Sequence, residues 1–264
     1  MAQKFSRFFF LFIGFVIAAM LFSCASRNSI IYFYNSPNIN SKDSSISYTP
    51  ILKADDLLGI NVSSIDIEAA KPFNLSVVSY STNGQVTGVP TVQGFLINSD
   101  GTIDFPVIGK IKIAGLSRTE ATDFLKDKLK DYITNPIVNI KILNFKITVI
   151  GDVRSPGTYT IPNERITILE AIGLAGDLNI TGVRNNVLVI REINGKKTGF
   201  RVDLTSDNVI NSPVYYLNQN DIIYIEPNKT KVNSARIGGN VNIVLSAVSL
   251  LFSSIYLIIT LSKL

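Results

Sequence analysis

The chain has 264 residues, 46% of them hydrophobic and 17% charged, with a net charge of +5; this excludes a disordered or collagen-like chain and leaves room for one or two small domains plus targeting or membrane segments. It contains no histidine and one cysteine, which removes Ser-His-Asp and Cys-His nucleophilic sites, histidine-ligated zinc and an internal disulfide framework. Two of the positive charges are Lys4 and Arg7 at the very start, and so modest a balance does not point to nucleic acid.

Residues 1–23 read as a secretory leader: Lys4 and Arg7 open it, residues 8–22 form an apolar run, and Ser23-Cys24 follows. That run has 15 residues, short of the roughly 20 a spanning helix needs. The single cysteine falls where a leader is cut. Leu21-Phe22-Ser23-Cys24 resembles the lipobox of bacterial lipoproteins, departing from it at Phe22, where a small residue is usual. The resemblance implies that the leader is removed and that Cys24 is acylated; an uncleaved anchor, or ordinary secretion with an idle thiol, are the alternatives. Ala25-Ser26-Arg27-Asn28 contains no Asp and no acidic cluster. Resemblance to Gram-negative sorting rules then implies an outer-membrane lipid anchor with the body in the periplasm. Residues 24–47 are read as a lipidated linker, its second half rich in Asn and Ser.

Two strand and helix units follow. In the first, Asp55-Asp56-Leu57-Leu58-Gly59-Ile60-Asn61-Val62 is a turn leading into an alternating strand. Asp100-Gly101 lies between apolar runs and predicts a hairpin. Ser117 and Glu120 form a capping box for a helix whose inner face carries Ala121, Phe124, Leu125, Leu129, Tyr132 and Ile133, stopped by Asn135-Pro136. In the second unit, a strand over residues 145–150 turns through Gly151 to Gly157 and returns over residues 158–161. Thr167 and Glu170 cap a short apolar helix that ends near Ala175-Gly176. Residues 187–193 and 199–204 flank Asn194-Gly195 as a hairpin, and residues 221–225 form a last strand. Its Asp221-Ile222-Ile223-Tyr224-Ile225 echoes Asp56-Leu57-Leu58-Gly59-Ile60, suggesting similar turns before two strands.

At the C-terminus, within residues 237–264, Val241 to Leu261 gives 21 residues without a charge, about 32 Å as a helix and long enough to span a bilayer core. Asn242, Ser246, Ser249, Ser253, Tyr256, Thr260 and Lys263 recur at spacings of four and three, one continuous polar stripe on a helix, while Ile243, Val248, Leu251, Phe252 and Ile255 lie opposite. The stripe lines a water-filled lumen in a ring of such helices, or its small serines let helices pack closely, or the helix is a single passive anchor.

The order of motifs resembles a known family. Gly94-Phe95, Asp100-Gly101-Thr102-Ile103-Asp104-Phe105-Pro106-Val107-Ile108-Gly109 and Ala114-Gly115-Leu116-Ser117 resemble the export domain of outer-membrane polysaccharide export proteins. Gly151-x-Val153-x-x-Pro156-Gly157, then Ile168-Leu169-Glu170-Ala171-Ile172-x-x-Ala175-Gly176, resemble the SLBB (soluble-ligand-binding β-grasp) domain that follows it there. The resemblance implies an α+β chain with an export domain over residues 48–143 and one β-grasp-like SLBB domain over residues 144–228. It further implies a periplasmic ring of identical subunits that conducts capsular or extracellular polysaccharide through an outer-membrane barrel of amphipathic helices. An inner-membrane partner of the polysaccharide co-polymerase or tyrosine-kinase type goes with it; no cofactor, metal or catalytic residue does. The stripe residues Asn242, Ser246, Ser249, Ser253, Tyr256 and Thr260 would then line the pore. Longer members carry two or more SLBB units where this chain has one, which bears on ring height.

Two other readings compete. A sugar-binding or adaptor lipoprotein would use Tyr215, Tyr216 and Tyr224 as stacking surfaces, although the chain has no Trp. A glycosidase needs two carboxylates and no histidine, and Asp100, Asp104, Asp152 and Asp177 are the acids in turn contexts, where capping is their commoner use.

Overall fold

The computed structural model describes residues 27–34, 49–75, 93–193, 195–237 and 241–261, a few side chains of the last two stretches excepted. The first domain is built on β1 (Leu57–Ser63), which turns Leu58, Ile60 and Val62 inward by simple alternation. A one-turn helix α1 (Ile67–Ala70) follows, capped by Asp66. β2 (Phe95–Leu96) pairs antiparallel with the start of β1, and β3 (Thr102–Phe105) pairs with β4 (Gly109–Lys112) as a separate hairpin. α2 (Arg118–Leu129) carries the expected capping box, both reciprocal Ser117–Glu120 bonds being present, and buries Ala121, Leu125 and Leu129. Tyr132, expected on the inner face, is exposed and packs edge to face with Phe73. β5 (Ile137–Ile142), which the sequence reading passed over, closes the order β2-β1-β5 and packs beneath α2.

The Asp100-Gly101 turn is present, with the Asn98 N–H on Thr102 O at 2.8 Å, yet it joins no ladder of its own. Ile97 N–H donates to Asp56 O instead, drawing the first arm toward β1, while Gly101 O accepts from Ile113 and Ala114 beyond the hairpin. The hairpin therefore turns at residues 106–108, not at Asp100-Gly101.

The second domain is one five-stranded sheet in the order β7-β6-β10-β8-β9. Its strands are β6 (Lys146–Gly151), β7 (Gly157–Thr160), β8 (Val187–Ile193), β9 (Lys196–Val202) and β10 (Ile222–Ile225), with α3 (Ile168–Leu174) against β6. Every pairing is antiparallel except β10 with β6. β9 begins at Lys196, three residues before the expected start, because the two-residue loop lets Ile193 face Lys196 directly; Asn194 itself lies outside the described residues. α3 shows the second capping box. Gly151 sits at φ 100, and a Cβ there would lie 2.0 Å from Ile225 O, so the parallel pair of β6 and β10 closes only over glycine.

One apolar core runs through both domains, and a polar seam joins them. Asn144 accepts from Leu57 N–H at 2.9 Å and from Gln219 at 3.1 Å, and donates to Asp55 O. Buried Glu164 accepts from Ile142 N–H and lies 3.5 Å from Arg118.

The echoed Asp motif is the same turn twice. Asp56 accepts from Lys53 N–H and Asp221 from Asn218 N–H, each at 2.8 Å and each three residues back, and each returns its own N–H to the same residue's carbonyl. The preceding residue is left-handed in both, Asp55 at φ 69 and Asn220 at φ 65. The two differ in what they meet. Asp221 is gripped by Arg191 at 2.6 to 3.1 Å, whereas Asp56 has no ion pair among the described residues and burial pushes its carboxyl up to about 6, helped by Asp55 and Glu164.

Candidate functional site: the helix root and the terminal helix

The last strand of the body feeds directly into two helices. After β10, Asn228 caps α4 (Lys229–Ile237) by accepting from Lys231 N–H at 2.9 Å. The root is fixed from the body side by Asp152, the residue after Gly151. Its buried carboxylate accepts from Asn179 Nδ2 at 2.8 Å, from the Thr181 hydroxyl and from the Lys231 ammonium. Burial alone would raise this carboxyl, but the Lys231, Thr181 and Asn179 bonds outweigh it and hold it below the usual range. Asn228 N–H adds a bond to Thr181 O at 2.8 Å.

α5 (Val241–Leu261) is a continuous helix of 21 residues. Ser246, Ser249, Ser253 and Thr260 are all exposed along it, and Ser249 donates to Ser246 O at 2.8 Å, a bond that satisfies a hydroxyl within its own helix. The side chains of Asn242 and Tyr256 lie outside the described residues. Off the stripe, Ile243, Leu245, Leu251, Phe252 and Ile255 are exposed by 52 to 66% and so are uncovered among the described residues. Among the described residues no helix is long and apolar enough to cross a membrane.

Cys24 lies outside the described residues, but the chain just after it does not behave as a free linker. Residues 30–33 are half-buried, and the Tyr32 hydroxyl donates to Asp177. Burial, reinforced by that carboxylate, raises the Tyr32 phenol far above its ordinary range and keeps it a donor.

The residues considered for sugar binding come together only in part. Tyr215 and Tyr216 meet edge to face at 5.1 Å, but the Arg165 guanidinium lies 4.5 Å over the Tyr216 ring and bonds its hydroxyl, while Tyr224 is on the central strand β10, paired with Ile150 and Leu188. Of the four turn acids, Asp152 and Asp177 come to one loop, where Val153 bridges Leu178, but their carboxylates serve different partners, and Asp100 and Asp104 lie at the hairpin of the first domain. Asp100 binds Thr102, Asp104 faces Lys110 across the hairpin, Asp152 holds the helix root and Asp177 holds Tyr32. Among the described residues no cluster of acids or cysteine could hold a metal.

Sequence reasoning missed Tyr32, Glu164 and the pairing of Lys231 with Asp152. Lys231 had a signal in the Asn228-x-x-Lys231 cap ahead of the terminal helix; the partners of Tyr32 and Glu164 lie 145 and 22 residues away, and no local pattern marks them.

Compared with known proteins, residues 44–143 match the family described as polysaccharide biosynthesis/export protein, and residues 145–225 match the SLBB domain. The chain carries a polysaccharide biosynthesis/export domain followed by an SLBB domain. It is 30% identical over 144 residues to the EPS I polysaccharide export outer membrane protein EpsA of Ralstonia solanacearum, a match covering 53% of this chain and 38% of that protein. The same-named protein of Ralstonia nicotianae is 28% identical over 142 residues, covering 53% and 37%. The matched stretch thus spans less than two fifths of these relatives.

Proposed function

We propose that this chain is a subunit of an outer-membrane conduit that carries capsular or extracellular polysaccharide from the periplasm to the cell surface, making and breaking no bond. The observation that carries the reading is the order of parts: an export domain, an SLBB domain, and a hydroxyl-striped helix of 21 residues rooted on the second domain through Lys231 and Asp152. Cys24 supplies a lipid anchor in the outer membrane, and the body stands in the periplasm. Copies of the chain form a ring, which covers strand edges that β5, β7 and β9 leave open among the described residues. α5 enters the membrane as one stave of a ring and not as a lone apolar span: from Val241 to Leu261 its sequence holds no charged residue, and its Asn242, Ser246, Ser249, Ser253, Tyr256 and Thr260 stripe turns to a lumen while the opposite face meets lipid. A neutral, hydroxyl-rich wall exchanges hydrogen bonds with a hydrated sugar chain without gripping it by charge. An inner-membrane co-polymerase or kinase-type partner hands over the polymer.

The adaptor reading, in which the terminal helix is only an anchor, gains nothing from the tyrosines, since Arg165 covers the Tyr216 ring. Native mass measurement of the full chain extracted in mild detergent tests the conduit. A closed oligomer is expected, and a strictly monomeric chain overturns it.

A further inference from the structure

The N-terminal stretch is fixed to the second domain by contacts of its own. Phe33 N–H donates to Leu204 O at 3.2 Å, and Tyr32 and Phe33 both pack against the core. The Tyr32 hydroxyl binds Asp177, and its ring lies 5.4 Å from the guanidinium of Arg184. Arg184 is 5% exposed, its hydrogen bonds go to the carbonyls of Leu178, Asn179 and Gly182, and its Nε has no hydrogen-bond partner among the described residues. A buried guanidinium held by carbonyls gains from an aromatic face laid over it.

The loop that receives Tyr32, residues 177–184, also holds the helix root from its other side. Asn179 and Thr181 donate to the carboxylate of Asp152 that takes the Lys231 ammonium, and Asn228 N–H reaches Thr181 O. Both ends of the chain therefore leave the body at one short loop. Tyr32 and Cys24 are eight positions apart in the sequence, a reach of about 28 Å at full extension.

We propose that residues 30–33 form a strap, docked through Tyr32 between Asp177 and Arg184, that tethers the N-terminal cysteine by eight residues to the loop holding the root of the terminal helices, so that an acyl group on Cys24 and α5 engage the same face of one membrane. The membrane consequence rests on the lipid-anchor reading; the docking does not. With the strap docked, the tether from the body to the lipid is limited to those eight residues.

Hydrogen exchange on the full-length chain, extracted in mild detergent, reads the docking, and the intact mass of the same sample reads acylation. The Phe33 amide should be protected. Tyr32→Ala should speed exchange across residues 30–34 about tenfold or more, the loss expected for a hydrogen bond to a charged group, while β8 and β10 stay unchanged; Tyr32→Phe, which keeps the ring and removes the hydroxyl, should fall between. An unprotected Phe33 in the parent chain, or no response to Tyr32→Ala, overturns the strap. A protected Phe33 on a chain whose mass shows no acyl group supports the docking and overturns the lipid reading alone.

Discussion

Asp56→Asn probes the difference between the two Asp turns. Asp56 is 3% exposed, accepts one N–H from Lys53 and has no ion pair among the described residues, and its carboxyl ionises near pH 6 in the folded chain, against about 4 when unfolded. Between those values the folded state binds more protons than the unfolded one. Stability is therefore full below about pH 4, falls as pH rises, and reaches its low plateau above about pH 6. Two pH units at about 1.4 kcal/mol each set an upper figure of about 3 kcal/mol. Asparagine retains the acceptor for Lys53 and cannot ionise, so its stability should lack that component of the fall. Urea unfolding of both chains at pH 4.5, 6 and 7.5 measures it: the gap between them should move in favour of Asn by about 2 kcal/mol across the series. A constant gap would mean that Asp56 ionises normally and that its burial is relieved in a way the described contacts omit.

Gly151→Ala should cost about 3 kcal/mol or more, read as a large fall in melting temperature, because the left-handed backbone and the Ile225 carbonyl both exclude a Cβ. Arg191→Leu should destabilise by about 3 to 5 kcal/mol by leaving Asp221 buried and unpaired, and Asp221→Asn in the same chain should recover part of it. Cys24→Ala should yield an unacylated, mislocalised chain; unchanged mass and membrane fractionation would refute the lipid assignment. A charge at Ser249 or Ser253 should be tolerated for insertion, whereas one at Leu251 or Ile255 should cost about 2.5 to 3.5 kcal/mol. Cysteines on the stripe alone should label with an impermeant reagent, and equal behaviour of both faces would sink the pore.

What the sequence makes legible is what lies between neighbours. The two capping boxes each need only four residues, and both form as read. The Asn194-Gly195 hairpin and the paired Asp turns are similarly local. β5 was equally local, since Val138, Ile140 and Ile142 alternate cleanly, but Asn135-Pro136 drew attention to where the helix stops and not to what starts beyond it. Pairings at a distance were not legible. Nothing in Asp100-Gly101 says that its arms will separate to β1 and β4, because that choice is made by Asp56 O and Gly101 O competing for N–H donors elsewhere in the chain. The same holds for Tyr32, whose neighbours in sequence suggest a linker and whose partner is 145 residues away.

The buried acids connect the architecture to the absence of bond chemistry in the proposed role. Asp56 closes a turn, Asp152 holds the helix root, Glu164 ties β5 to the second domain, and Asp221 neutralises Arg191. A two-carboxylate hydrolase needs two acids facing one gap, one kept protonated and both with lone pairs aimed at substrate. Here the buried acids bind backbone N–H groups, side-chain donors or cations, and the two that burial raises are both engaged, Asp56 by Lys53 N–H and Asp221 by Asn218 N–H and Arg191. Their common effect is mechanical. They fix the turns, the seam and the root in place, and the proposed conduit leaves contact with the polymer to the neutral hydroxyls of α5.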